Sequence, residues 1–148
     1  MIRRIIPLVL LSAIVMLSQF AWAHTDEYLA TVETLHGGQL RAAGPFHLEL
    51  VAKDGELTLY VTDHGDNPVP VQGGYGKANI QAGKDGERKA VTLVPENGNI
   101  MRASGAFKIT PETSVTVFIA IPGHEAQGAR FTPLAPKGDG GSRHDHDH

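Results

Sequence analysis

Hydrophobic and polar residues alternate most regularly between Pro45 and His64, in the stretch PFHLELVAKDGELTLYVTDH. Two alternating runs flank Asp54-Gly55, and that spacing predicts a β-hairpin with a two-residue turn. With the turn placed there, Lys53 faces Glu56, Ala52 faces Leu57, Leu50 faces Leu59 and Leu48 faces Val61, giving one apolar face. The other face carries Val51 with Thr58, Glu49 with Tyr60 and His47 with Thr62, and His64 lies one diagonal step beyond. A slip of one residue would turn the leucines into water, so the pattern specifies its own pairing. The hairpin is expected to bury the leucines and to show solvent a surface of His, Glu, Tyr and His.

The same alternation recurs in shorter pieces. Gln39 to Ala43 reads as an edge strand, Lys77 to Ala82 and Lys89 to Pro95 as strands around a Lys84-Asp85-Gly86 turn, and Ile100 to Ala103 as another strand after Glu96-Asn97-Gly98-Asn99. Ser114 to Ile121 is the most β-prone run, and Ala129 to Leu134 closes the series. Asp66 to Gly76 is rich in turn residues around an extended Pro-Val-Pro-Val segment. No stretch sustains a helical period. Seven or eight short strands between turn signals predict an all-β domain, a single antiparallel sandwich or small barrel.

The ends of the chain break the pattern. Arg3 and Arg4, the apolar run from Ile5 to Phe20 and Ala21-Trp22-Ala23 together have the form of a cleavable export signal. Cleavage after Ala23 would leave 125 of the 148 residues, enough for one domain with a core. It would also take the formal charge from −3 to −5, since both lost charges are arginines. Residues 24–35 are of mixed polarity, an extended lead-in or one helical turn, and 36–135 hold the β domain. From Pro136 to His148 the composition turns to Lys, Gly, Asp, Ser and His, which predicts a disordered tail.

An acidic exported domain is a poor match for nucleic acid or anionic membranes, and after cleavage no membrane anchor is expected. The absence of cysteine excludes a disulfide framework and a lipid-modified N-terminus. All eight histidines follow the cleavage site. Imidazole and carboxylate in a Cys-free exported protein point to borderline divalent metals, Cu(II) or Zn(II) first, with Ni(II) and Co(II) also compatible.

The segments HGGQL, FHLEL, GELTLYVTDHGDNPVP, VTLVPENGNIMRASG and SVTVFIAIPGHEAQGARF resemble a β-rich domain of the periplasmic adaptor subunits of heavy-metal efflux pumps. In those proteins a similar His-Gly-Gly opening leads to a strand pair and a D-x-x-x-x-P turn. The likeness spans roughly His36 to Phe131 and implies a β-rich fold, a periplasmic location and an efflux adaptor subunit as partner. The chain departs from an adaptor in having no α-helical hairpin and no length for lipoyl-like and barrel domains. It resembles the single domain set free, with its own export signal and a histidine tail. Only His36, Gly37 and Gly38 align with a recognisable motif, so no ligand set carries over.

The residues themselves suggest three candidate metal-binding groups. On the hairpin surface, His47, Glu49 and His64 are close enough for two imidazoles to reach one ion, since diagonal neighbours lie about 7–8 Å apart, and His36 could swing in. As a new N-terminus, His24 would pair an α-amine with an imidazole, a chelate suited to Cu(II). In the tail, His144, His146 and His148 alternate with aspartates, a ligand-rich tract without preformed geometry. Each has a plainer reading, as exposed sheet residues, a frayed terminus and a solvating tail; His124 reads as an exposed loop residue. No nucleophile elbow, H-E-x-x-H or phosphate-cradling loop occurs, which argues against an enzyme. The expectation is a periplasmic binder of divalent transition metals, a buffer, carrier or accessory in heavy-metal resistance or efflux. The alternative is an interaction module of an efflux assembly that binds no metal.

Overall fold

The structure, a computed structural model, describes Asp26 and residues 28–136. The export signal, His24 and the histidine tail from residue 137 lie outside the described residues. Eight strands follow one another: β1 Gln39–Ala43, β2 Phe46–Lys53, β3 Glu56–Asp63, β4 Tyr75–Ala82, β5 Arg88–Pro95, β6 Ile100–Ser104, β7 Thr113–Ala120 and β8 Gln127–Phe131. All pairings are antiparallel, in the order β1-β2-β3-β6-β5-β4-β7-β8. A helical turn at 28–31 precedes them and buries Leu29. Among the described residues, no helix is long and apolar enough to cross a membrane.

The β2–β3 hairpin has the register its alternation specifies, from Lys53 opposite Glu56 through Leu50 opposite Leu59 to His47 opposite Thr62. Gly55 takes φ of 75° at the turn, a conformation that costs glycine little. Asp54 does more than turn the chain, because its Oδ1 accepts a hydrogen bond from the Ile109 amide at 2.8 Å. This ties the hairpin tip to the loop after β6.

The two ends of the sheet meet, and the sheet is a nearly closed barrel rather than a pair of stacked layers. Side chains rather than a backbone ladder bridge the seam between β1 and β8. Gln39 accepts from the Thr132 amide at 2.7 Å and donates to its carbonyl at 3.2 Å, and Arg41 Nε donates to the Arg130 carbonyl. Inward positions from every strand form one core, including Leu48, Leu50, Leu59, Val61, Leu93, Met101, Val117 and Phe131. Large and small side chains alternate to fit the taper. A Cβ on Gly76 would lie 2.7 Å from that of Leu93, so the absence of a side chain there makes room for a large one across the strand.

Candidate metal site

The outer face of the β2–β3 hairpin is less open than its polarity suggests. Glu49 and Thr58 are each only 6 % exposed, which corrects the expectation of a solvent-facing surface. The cover over Glu49 is the segment before β1. Gly37 adopts φ of 72°, and a Cβ on Gly38 would lie 2.5 Å from the Leu50 carbonyl oxygen. One glycine turns the chain, the other lets it lie against β2, and together they fold His36 back over the carboxylate.

There the His36 ring Nδ1 lies 2.8 Å from Oε2 of Glu49, while Oε1 accepts from the amides of His36 at 2.9 Å and Gly38 at 3.1 Å. The ring stacks on Tyr60, with centroids 3.6 Å apart and planes 2° from parallel. Burial pushes the Glu49 carboxyl up. Hydrogen bonds from the His36 ring and from the Gly38 and His36 amides outweigh it and hold the group below its usual 4.5. His36 does swing onto the hairpin, but it and Glu49 satisfy each other. A carboxylate engaged by three donors is a fastening for the lead-in segment.

His47 and His64 form a second group on the same face, with ring centroids 4.5 Å apart and planes inclined at 42°. The loop 63–68 positions His64. Asp63 Oδ1 accepts from the amides of Gly65 at 2.8 Å and Asn67 at 3.0 Å, and the Asn67 side chain donates to both carboxylate oxygens. The Asn67 backbone amide, then its side chain, hold the Asp63 carboxyl below its usual 3.8. Pro68 bridges back to Thr62, and the Val69 amide donates to the Val61 carbonyl, which closes the D-x-x-x-x-P turn against β3.

His64 Nε2 lies 2.8 Å from the Gly44 carbonyl oxygen. A carbonyl only accepts, so Nε2 carries the proton and a neutral ring has its lone pair at Nδ1. A ring nitrogen that hydrogen-bonds a backbone carbonyl is the usual outer support of a metal-binding imidazole. His47 is 13 % exposed at its side chain, and its Nδ1 is enclosed with no hydrogen-bond partner, the one such buried side-chain atom among the described residues. Leaving a polar atom so placed costs about 1–3 kcal/mol. Asp66 Oδ1 lies 3.9 Å from it, too far for a hydrogen bond.

Asp66, with φ of 61° and an exposed side chain, was not among the sequence-derived candidates. Its position two residues after His64, inside the D-x-x-x-x-P turn, was the available signal. Two ligands of one tetrahedral ion at bond lengths of 2.0–2.1 Å lie about 3.4 Å apart, so a shift of about half an ångström by Asp66 would bring it into range. As they stand, no three His, Asp or Glu side chains among the described residues enclose one point. The arrangement is a pair of imidazoles with a carboxylate alongside.

The four candidates His24, His144, His146 and His148 lie outside the described residues. His124 is exposed, as expected of a loop residue, and its ring meets the edge of buried Phe46 at 5.0 Å. No family model, curated relative or solved structure matches the chain.

Proposed function

We propose that the protein is an exported binder of divalent transition metals in the periplasm, acting as buffer, carrier or accessory in heavy-metal resistance or efflux. The observation that supports this most is the enclosed, unpartnered Nδ1 of His47 beside a second imidazole whose far nitrogen is anchored on the Gly44 carbonyl. Buried polar atoms are as a rule hydrogen-bonded, and a metal ion is a partner that an imidazole pair is suited to accept. His47, His64 and Asp66 would hold the ion, leaving further positions for water or a ligand from elsewhere. A site with only three protein ligands suits reversible binding and release. The resemblance to efflux adaptor domains and the form of residues 1–23 support the compartment.

A second reading, an accessory module that binds no metal, draws on the His36–Glu49 pair. There the histidine of the His-Gly-Gly motif fastens the fold and keeps no free nitrogen toward the carboxylate. Equilibrium dialysis against Cu(II), Zn(II), Ni(II) and Co(II) separates the two. On chain processed to His24 and ending at Pro136, one ion should bind, and replacing both His47 and His64 with alanine should abolish it. Retention of the ion by that double variant would shift the site to His24, and no binding at all would leave the module.

A further inference from the structure

The outer face of β4, β5, β7 and β8 differs in charge from the rest of the molecule. The chain carries 16 acidic against 13 basic residues. Yet the outward positions of these four strands hold Lys77, Arg88 and Arg130 and no carboxylate. The register fixes the grouping: Arg88 lies opposite Gln81, Gln81 opposite Ser114, and Arg130 opposite Thr116, which faces Asn79. These residues line one concavity of about 510 Å³, with the amides and hydroxyls as its floor and the two guanidinium groups at its sides. Among the described residues no carboxylate lies within ion-pairing distance of Arg88 or Arg130, whereas Arg102 on β6 is held by Glu56 and Glu96 at 2.8 Å each.

Large apolar side chains are exposed on this same face. Tyr75 and Val94 are each 57 % exposed and Phe118 is 50 % exposed. The register that pairs Gly76 with Leu93 sets Tyr75 beside Val94, and Phe118, opposite Lys77 on β4 and Gly128 on β8, lies one diagonal step from Tyr75. Aromatic residues and arginine are the side chains enriched at protein interfaces. Guanidinium groups that no described carboxylate pairs suit carboxylates from elsewhere, which they grip through paired N–H donors.

We propose that this face docks an acidic segment of a partner protein, with carboxylates placed on Arg88 and Arg130 and an apolar side chain set against Tyr75 and Phe118. Adjacent strands are about 4.8 Å apart, so Arg88 on β5 and Arg130 on β8 are separated by three strand spacings, about 14 Å. The ligand is therefore an extended chain with several acidic residues. This docking is independent of the metal site, which lies on the β2–β3 hairpin.

The test is titration calorimetry of the whole metal-free chain at pH 8 with the peptide Glu-Glu-Glu-Phe-Glu-Glu-Glu. Heptaglutamate and tripolyphosphate serve as comparison probes. Binding should weaken with added salt, should weaken on removal of the phenylalanine, and should fall at least about tenfold in the Arg88→Glu, Arg130→Glu double variant. Lys108→Glu, a reversal elsewhere on the surface, should leave it unchanged, and circular dichroism melts check that each variant folds. Absence of binding, or equal binding by the double variant, overturns the proposal. So does tripolyphosphate binding as tightly as the peptide, which would mark a small-anion site.

Discussion

The Nδ1 atom of His36 lies 2.8 Å from Oε2 of Glu49, across 13 residues of chain, and the same carboxylate takes the backbone amide of His36 on its other oxygen. One side chain on β2 thus fixes both the ring and the backbone of the segment leading into β1. Replacing Glu49 with glutamine keeps the size and an oxygen for the two backbone amides, but removes the charge and puts an N–H donor in place of Oε2 against the His36 ring. The variant should lose about 1–3 kcal/mol, read as a lowered midpoint in urea unfolding at pH 7.

The pH dependence of that loss has a definite sign. The folded Glu49 carboxyl titrates below its usual 4.5. Its stabilisation is therefore complete above the unfolded value and disappears as pH falls through the folded one. As pH falls below about 5 and through the lowered folded value, the wild-type protein should lose more stability than Glu49→Gln, so that their urea midpoints converge. Parallel curves for the two proteins over that range would show that the carboxylate's charge contributes nothing.

Gly38 makes the same fastening possible from the backbone side. An alanine Cβ there would fall 2.5 Å from the Leu50 carbonyl oxygen, closer than such atoms approach, and 3.0 Å from Glu49 Cγ. Gly38→Ala should displace the lead-in segment, cost about 1–3 kcal/mol and remove the stacking of His36 on Tyr60. Nuclear magnetic resonance can follow the ring-current shifts of the His36 protons, which should move toward random-coil positions.

Gln39 makes two of the three side-chain hydrogen bonds described across the seam between β1 and β8, both of them to Thr132, and Arg41 makes the third. Gln39→Ala should leave the core intact while opening the barrel edge, at about 1–2 kcal/mol for two partly exposed bonds. Hydrogen exchange at the Thr132 amide should accelerate well beyond that of Leu50 or Val117. Uniform acceleration across all strands would mean that the seam and the core open together.

Leu50 offers the opposite test, because it is fully buried and contributes nothing to the histidine pair. Leu50→Ala should destabilise the protein by about 2–5 kcal/mol. Metal binding, measured at a temperature where the variant is folded, should be unchanged. A parallel loss of affinity would couple the imidazole pair to core packing.

The hairpin register was legible from the residues because its determinants are local. A period of two and an Asp-Gly turn act within 20 residues, and each wrong register would put leucines in water. The strand series and the all-β class followed for the same reason, with boundaries off by one or two residues at β4, β5, β6 and β7 and by two and three residues at the ends of β8. Strand neighbours were not legible in this way. That β6 lies between β3 and β5, and that the ends of the sheet meet through Gln39 and Thr132, 93 residues apart, depends on fitting all the inward side chains into one volume. Alternation states which face is apolar but not which strand it will meet. The polar face shows the same limit. Local pattern put His36, His47, Glu49 and His64 within reach of one another, but only the folded backbone divided them. The positive φ of Gly37 and the close approach of Gly38 carried His36 onto Glu49, while the Asp63 loop carried His64 and Asp66 to His47. Burial of the His47 Nδ1 is a property of that packing, and no spacing of residues could have shown it.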